Sequence, residues 1–144
     1  TQQIRNVKEV KIHPDFNGTN YNFAILYTDI KWEYNDVVKP IGLSHQDPRH
    51  CIATGWGLHK MLRQVYLTDP FEQCDEIYGS SLSNHTICVY CAQGKDFVEY
   101  GGPIVCEDGL LAGVGSSADP PCGTTQSPAG FSRVTIVQEW IKSV

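Results

Sequence analysis

The chain has 144 residues, 41% of them hydrophobic and 19% charged, with a net charge of −5. That is one domain's worth of polypeptide, long enough for a modest core. The acidic balance argues against nucleic acid, whose binders concentrate Lys and Arg against phosphate, and no apolar run approaches the ~18 residues of a membrane span.

Along the chain, short alternating apolar segments separated by turns predict an all-β protein, a barrel or a sandwich. Phe23 to Thr28 and Ile52 to Trp56 are predicted strands. Asp69-Pro70 supplies an N-cap and a first-turn proline for a helix with Phe71, Cys74 and Tyr78 on one face. Ile104 to Cys106 and Leu110 to Val114 flank Glu107-Asp108-Gly109, where Asp-Gly favours a tight hairpin turn. Thr135 and Gln138 form a capping box for a terminal helix. Its stripe of Ile136, Val137, Trp140, Ile141 and Val144 at helical spacing is expected to dock on the core. No repeat, low-complexity stretch or linker divides the chain, so residues 1–144 are expected to form a single domain.

An even count of six cysteines in a small chain with Gly- and Pro-rich turns favours a disulfide framework and an oxidising compartment. Cys88-Val89-Tyr90-Cys91 also has C-x-x-C spacing. A zinc site needs a second pair of ligands, and a redox motif usually opens a helix in a βαβ unit; neither context is visible. The sequons Asn17-Gly18-Thr19 and Asn84-His85-Thr86 point to glycosylation at Asn17 and Asn84 and to a secreted protein. The chain opens on Thr1 rather than Met, as expected after processing or within a longer product. His13, His45, His50, His59 and His85 are scattered over predicted loops without His-x-x-His or Glu-x-x-His spacing, so neither a metal nor a cofactor is expected.

Five segments in order carry a family resemblance. Val98-Glu99-Tyr100-Gly101-Gly102-Pro103 resembles the Gly-Asp-Ser-Gly-Gly-Pro signature of the chymotrypsin/trypsin serine proteases, with tyrosine at the place of the nucleophilic serine. Tyr21-Asn22-Phe23-Ala24-Ile25-Leu26 resembles the segment that carries the triad aspartate, with Asn22 in its place. Cys51-Ile52-Ala53-Thr54-Gly55-Trp56-Gly57 is similar to the strand opening the second barrel. Pro128 to Val134 is similar to the Pro-Gly-Val-Tyr-x-Arg-Val strand, and Glu139-Trp140-Ile141 to the closing helix.

The resemblance implies a trypsin-like double β-barrel: a partial first barrel over 1–45, a nearly complete second barrel over 46–134 and a C-terminal helix over 135–144. It pairs the cysteines as Cys51–Cys106, Cys74–Cys88 and Cys91–Cys122. A two-barrel domain runs to roughly 200–250 residues, and nothing in this chain looks like the strand that carries the catalytic histidine. The open strands would call for another polypeptide, such as a separate N-terminal chain, or for a rearranged barrel.

The chemistry of the family requires a serine hydroxyl, a histidine base, a carboxylate that fixes its tautomer, and backbone donors for the oxyanion. Tyr100 and Asn22 replace two of these, and Val98 stands where a glycine supplies an oxyanion N–H. Where the aspartate has been changed to asparagine in a related protease, turnover falls by roughly 10⁴. Ser116, Ser117 and Ala118 match the groove segment, Ser116 with no base beside it, and the methyl of Ala129 narrows the specificity pocket. Asp96 is read as a solvated loop carboxylate, and Glu99 as the counterpart of the aspartate that pairs with a freed amino terminus, here without an obvious partner. The expectation is a secreted, non-catalytic protease homologue that binds a protein partner. The alternatives are a receptor ligand using a degenerate protease groove, and an active endopeptidase completed by another chain.

Overall fold

The computed structural model of the chain describes residues 2–46, 49–56, 60–67, 76, 79, 84–89, 99–117 and 128–144. Strands β1 (Val7–Ile12) and β2 (Ala24–Thr28) form an antiparallel pair with Val10 opposite Leu26 and Ile12 opposite Ala24. Residues 2–6 extend the pairing past the strands through their side chains. The Gln3 amide donates to the Glu33 carbonyl and accepts the Glu33 N–H, at 2.8 and 3.1 Å. The Arg5 guanidinium donates to the Lys31 carbonyl and lies over the Trp32 ring. Asn6 donates to Asp29, and this side-chain bond is the main cause that holds the Asp29 carboxyl below its ordinary pKa.

The second sheet has six antiparallel strands: β3 (Ile52–Gly55), β4 (Arg63–Tyr66), β5 (Thr86–Val89), β6 (Pro103–Val105), β7 (Leu111–Ser117) and β8 (Ala129–Arg133). Their spatial order is β4-β3-β6-β7-β8-β5. Laid flat, the outer strands would stand about 24 Å apart at ordinary strand spacing. Instead Val65 and Leu67 from the β4 end share one apolar cluster with Ile87 and Val89 of β5, together with Ala53, Ile104, Ala112, Ala129 and Phe131. The sheet is therefore curled around its own core, which is the barrel geometry expected for this part of the chain.

Cys51 and Cys106 are joined by the expected disulfide, which closes a loop of 55 residues just before β3 and just after β6. Loop-closure entropy for a link of that span is about 4 kcal/mol. Cys88 is also disulfide-bonded. Its expected partner Cys74 and the Cys91–Cys122 pair lie outside the described residues, as does the predicted Asp69–Tyr78 helix save for Glu76, which is helical. The β6–β7 hairpin turns on three residues rather than two. The Gly109 N–H donates to the Cys106 carbonyl at 2.8 Å with Gly109 at φ +73°, so the Asp-Gly pair closes a type I turn with a glycine bulge.

The two sheets are joined at two places. Gly42 to Ser44 runs alongside the start of β7: the Leu111 N–H donates to the Gly42 carbonyl at 2.8 Å, and the Ser44 N–H donates to the Leu111 carbonyl at 2.9 Å. Residues assigned by sequence to the first barrel thus also pair with the second. Further along, His13 stacks on Tyr21 with ring centroids 4.6 Å apart and meets Trp140 at 4.7 Å, while Tyr21 meets His85 edge-on at 4.6 Å. The histidines expected to be scattered are in part gathered here, because the fold brings the end of β1, the loop before β5 and the terminal helix together.

The terminal helix differs from its predicted form. Residues Val134–Ile136 make a 3₁₀ turn, and helix α1 covers Gln138–Ser143 with Val137 as its N-cap and no side-chain cap. The expected capping box between Thr135 and Gln138 does not form. Thr135 lies inside the 3₁₀ turn, and the Gln138 amide turns inward to donate to the Ser44 carbonyl, satisfying a buried acceptor that a surface cap would leave unpaired. Of the predicted stripe, Val137 is fully buried, Ile136, Trp140 and Ile141 are half-buried and Val144 is exposed.

Phe131, 1% exposed at the centre of the curled sheet, sets the expected scale of core sensitivity. Phe131→Ala should lower the unfolding free energy by about 3–5 kcal/mol, whereas Val37→Ala at an exposed position should change it by less than about 0.5 kcal/mol, as read by denaturant titration.

Candidate functional site at the Glu99–Gly102 turn

The segment that resembles the nucleophile signature begins, among the described residues, at Glu99; Val98 and Asp96 lie outside them. The Gly102 N–H donates to the Glu99 carbonyl at 3.0 Å, and Gly101 has φ +78°. That is a type II turn, with Tyr100 at its first central position and a glycine where positive φ is required. The turn is fixed to β7 from below: the Gly101 N–H donates to the Gly115 carbonyl and the Gly115 N–H to the Gly102 carbonyl, both at 2.8 Å. Tyr100 is left at the apex, 74% exposed. Among the described residues no side chain is hydrogen-bonded to its hydroxyl.

Three glycines make room for Glu99. A Cβ on Gly115 would overlap the Glu99 carbonyl oxygen, one on Gly102 would lie 3.1 Å from the same atom, and one on Gly55 would lie 2.7 Å from Oε2. The half-buried carboxylate reaches the end of β3, where Oε1 accepts the Trp56 N–H at 3.1 Å. Glu99, expected from sequence to lack a partner, therefore has one in the main chain. A charged acceptor for that N–H is roughly twice as strong as a neutral one. The sequence signal for this contact was the set of glycines at 55, 102 and 115, whose spacing along the chain does not show that they converge.

Asn22 sits in a different setting. The Phe23 N–H donates to the Tyr21 carbonyl at 2.7 Å, closing a three-residue turn around Asn22, and Tyr21 has φ +52°. A non-glycine residue in the left-handed region costs roughly 1–2 kcal/mol, and the ring contacts of Tyr21 with His13 and His85 hold it there. His13 is buried, and its Nδ1 accepts the Asp15 N–H at 3.2 Å. Among the described residues the Asn22 side chain makes no hydrogen bond, and none links it to the Glu99–Gly102 turn.

The expected groove residues divide. The Ser116 hydroxyl donates to the Gly130 carbonyl at 3.2 Å, and Ser117 pairs with Gly130 at the end of β7. Ala129 is buried in the core cluster beside Phe131 rather than placed on an exposed wall, since alternation along β8 turns residues 129 and 131 inward together. Ala118 lies outside the described residues. Asn17 and Asn84 are both exposed. The Asn17 side-chain oxygen accepts from the Thr19 N–H, the Thr19 hydroxyl and the Asn20 N–H at 2.9–3.2 Å, while Thr86 of the other sequon is buried in β5. Among the described residues no three His, Cys, Asp or Glu side chains are grouped as metal ligands.

The close approach of Glu99 to β7 gives a direct test. Gly115→Ala should force the turn off the strand, destabilise the protein by about 1–3 kcal/mol as overpacking does, and speed hydrogen exchange at the Gly102 and Trp56 amides, measured by NMR.

A trypsin-family model matches residues 1–141. Among curated relatives, mouse Kallikrein 1-related peptidase-like b4 is 27% identical over an alignment covering 99% of this chain and 66% of its own length. Mouse Kallikrein-1 is 29% identical, with 97% and 64% covered. The chain thus spans just under two thirds of the length of these curated relatives. Of solved structures, mouse neuropsin, a serine protease expressed in the limbic system, matches with TM-score 0.83 and 25% identity, over 98% of this chain and 71% of that one. Kallikrein-related peptidase 10 matches with TM-score 0.82 and 25% identity, over 99% and 73%. With its curled six-stranded sheet, its small second sheet and its short C-terminal helix, the chain belongs to the trypsin family and has the trypsin-like fold.

Proposed function

We propose that this chain is a secreted, non-catalytic member of the trypsin family, with a partial first barrel, that acts by binding another protein. The observation that carries the reading is Tyr100: a phenol on an exposed turn, with no base bonded to it, at the place in the signature where the family has its nucleophile. Acyl transfer by this machinery needs a hydroxyl whose proton passes to a histidine held in one tautomer by a carboxylate. Asn22 offers an amide at the carboxylate's place in the signature. Losing the nucleophile costs about 10⁶ in a convergent protease, and such losses do not simply add.

The same turn suits a binding role. Tyr100 and Trp56 are both exposed and are coupled through Glu99, whose carboxylate accepts the Trp56 N–H; Met61 and Leu62 are exposed at the end of the same hairpin. Tyrosine and tryptophan dominate interface hot spots, and a turn already held by main-chain bonds has little ordering left to lose on binding. Secretion is supported by the disulfide bonding of Cys51, Cys106 and Cys88 and by the two exposed sequon asparagines. A receptor-ligand form of this reading is favoured by the exposure of Tyr100 itself, and saturable cell-surface binding that Tyr100→Ala abolishes would distinguish it.

Incubation with fluorogenic peptides and with a fluorophosphonate should give neither turnover nor label. Covalent labelling at a single serine, Ser116 included, would overturn the reading.

A further inference from the structure

We propose that the apolar face of the β1–β2 sheet is a docking surface for the strand-forming polypeptide that completes the first barrel. In the β1–β2 register, Val10 faces Leu26 and Ile12 faces Ala24, and the irregularity after Val7 brings that residue opposite Thr28. Val7, Val10, Ile12, Ala24 and Leu26 therefore share one face of the pair. Val7 and Val10 are each 52% exposed, Leu26 57% and Ile12 61%. The opposite face carries Glu9, Lys11, Ile25 and Tyr27, with the Lys11 ammonium over the Tyr27 ring. The sheet thus turns its uncharged side to water, the reverse of an ordinary surface sheet.

Its edges match its face. Among the described residues β1 pairs with β2 alone and β2 with β1 alone, so each strand has an open edge of unpaired backbone groups. A two-stranded pair of this kind is marginal by itself. An occupant must therefore supply both main-chain partners and alternating apolar side chains, which is what a β-strand does. The solved relatives superpose on 98–99% of this chain, yet the chain covers only 71–73% of theirs, so more than a quarter of each has no counterpart here. Polypeptide of that kind fits both features, whether it is continuous with this chain or separate from it. The proposal rests on family membership and on the partial first barrel, not on the loss of catalysis.

The test is native mass spectrometry and hydrogen exchange on glycan-free protein from its natural source, beside the recombinant 144-residue chain. The expected result is added polypeptide that aligns with the first barrel of the trypsin family, and amide exchange over 7–12 and 24–28 slowed by about tenfold or more relative to the isolated chain. Co-expressed with that polypeptide, Leu26→Asp should lose the association while Glu9→Gln on the opposite face keeps it, with circular dichroism confirming that both variants fold. A chain of 16.0 kDa alone with unslowed exchange, a homodimer that covers the face, or an unrelated protein seated on it would each overturn the proposal. Peptide turnover by the completed assembly would bear on the catalytic reading and leave this one standing.

Discussion

The approach of Glu99 to Gly55, Gly102 and Gly115 is the constraint around which the candidate site is built. A main-chain carbonyl and a carboxylate from one residue occupy space that side chains on β3, β7 and the turn itself would fill. The consequences run outward. The turn takes the type II form, Gly101 takes the positive φ that form demands, and Tyr100 has nowhere to go but out into solvent. Because the carboxylate ends on the Trp56 N–H, the end of β3 and the Glu99–Gly102 turn are fixed to one another. At the other ends of β3 and β6, the Cys51–Cys106 bridge fixes the strands covalently. The strands that carry the site are thus clamped at both ends, which is the condition for a rigid binding surface.

The two sheets contrast in how they treat their apolar residues. In the six-stranded sheet the inward positions Ala53, Ile104, Ala112, Ala129 and Phe131 are all buried, and curling brings the outer strands to the same core. In the two-stranded sheet the corresponding alternation leaves Val10, Ile12 and Leu26 in water. Nothing local distinguishes the two patterns; what differs is how much sheet is present to close on itself. The smaller sheet is held in place by the His13–Tyr21–His85–Trp140 contacts and by the Gly42–Ser44 segment against Leu111, rather than by a core of its own.

The all-β character, the strands around Ala24–Thr28 and Ile52–Gly55 and the Cys51–Cys106 pair were legible in the sequence. Period-two alternation and a long, specific set of motif residues each point to one answer. The terminal helix was legible as an element but not in its start, because Gln138 is drawn to the buried Ser44 carbonyl, a partner remote in sequence. Ala129 was legible as a substitution and not as a core residue, since which way a strand residue points depends on register. The aromatic cluster was invisible: His13, Tyr21, His85 and Trp140 come from four separate segments, and only the packing of the two sheets brings them together.

On the reading proposed for this chain, catalysis is lost at several independent places, so that restoring the two residues seen in the signature is not enough. The most direct measurement is peptide hydrolysis and fluorophosphonate labelling by the double variant Tyr100→Ser, Asn22→Asp in this 144-residue chain. The introduced serine would stand on a turn whose shape is set by Glu99. The introduced carboxylate at position 22 would meet no histidine in hydrogen-bonding position, so neither turnover nor label is predicted. Hydrolysis by that variant, with the introduced serine labelled, would contradict the account.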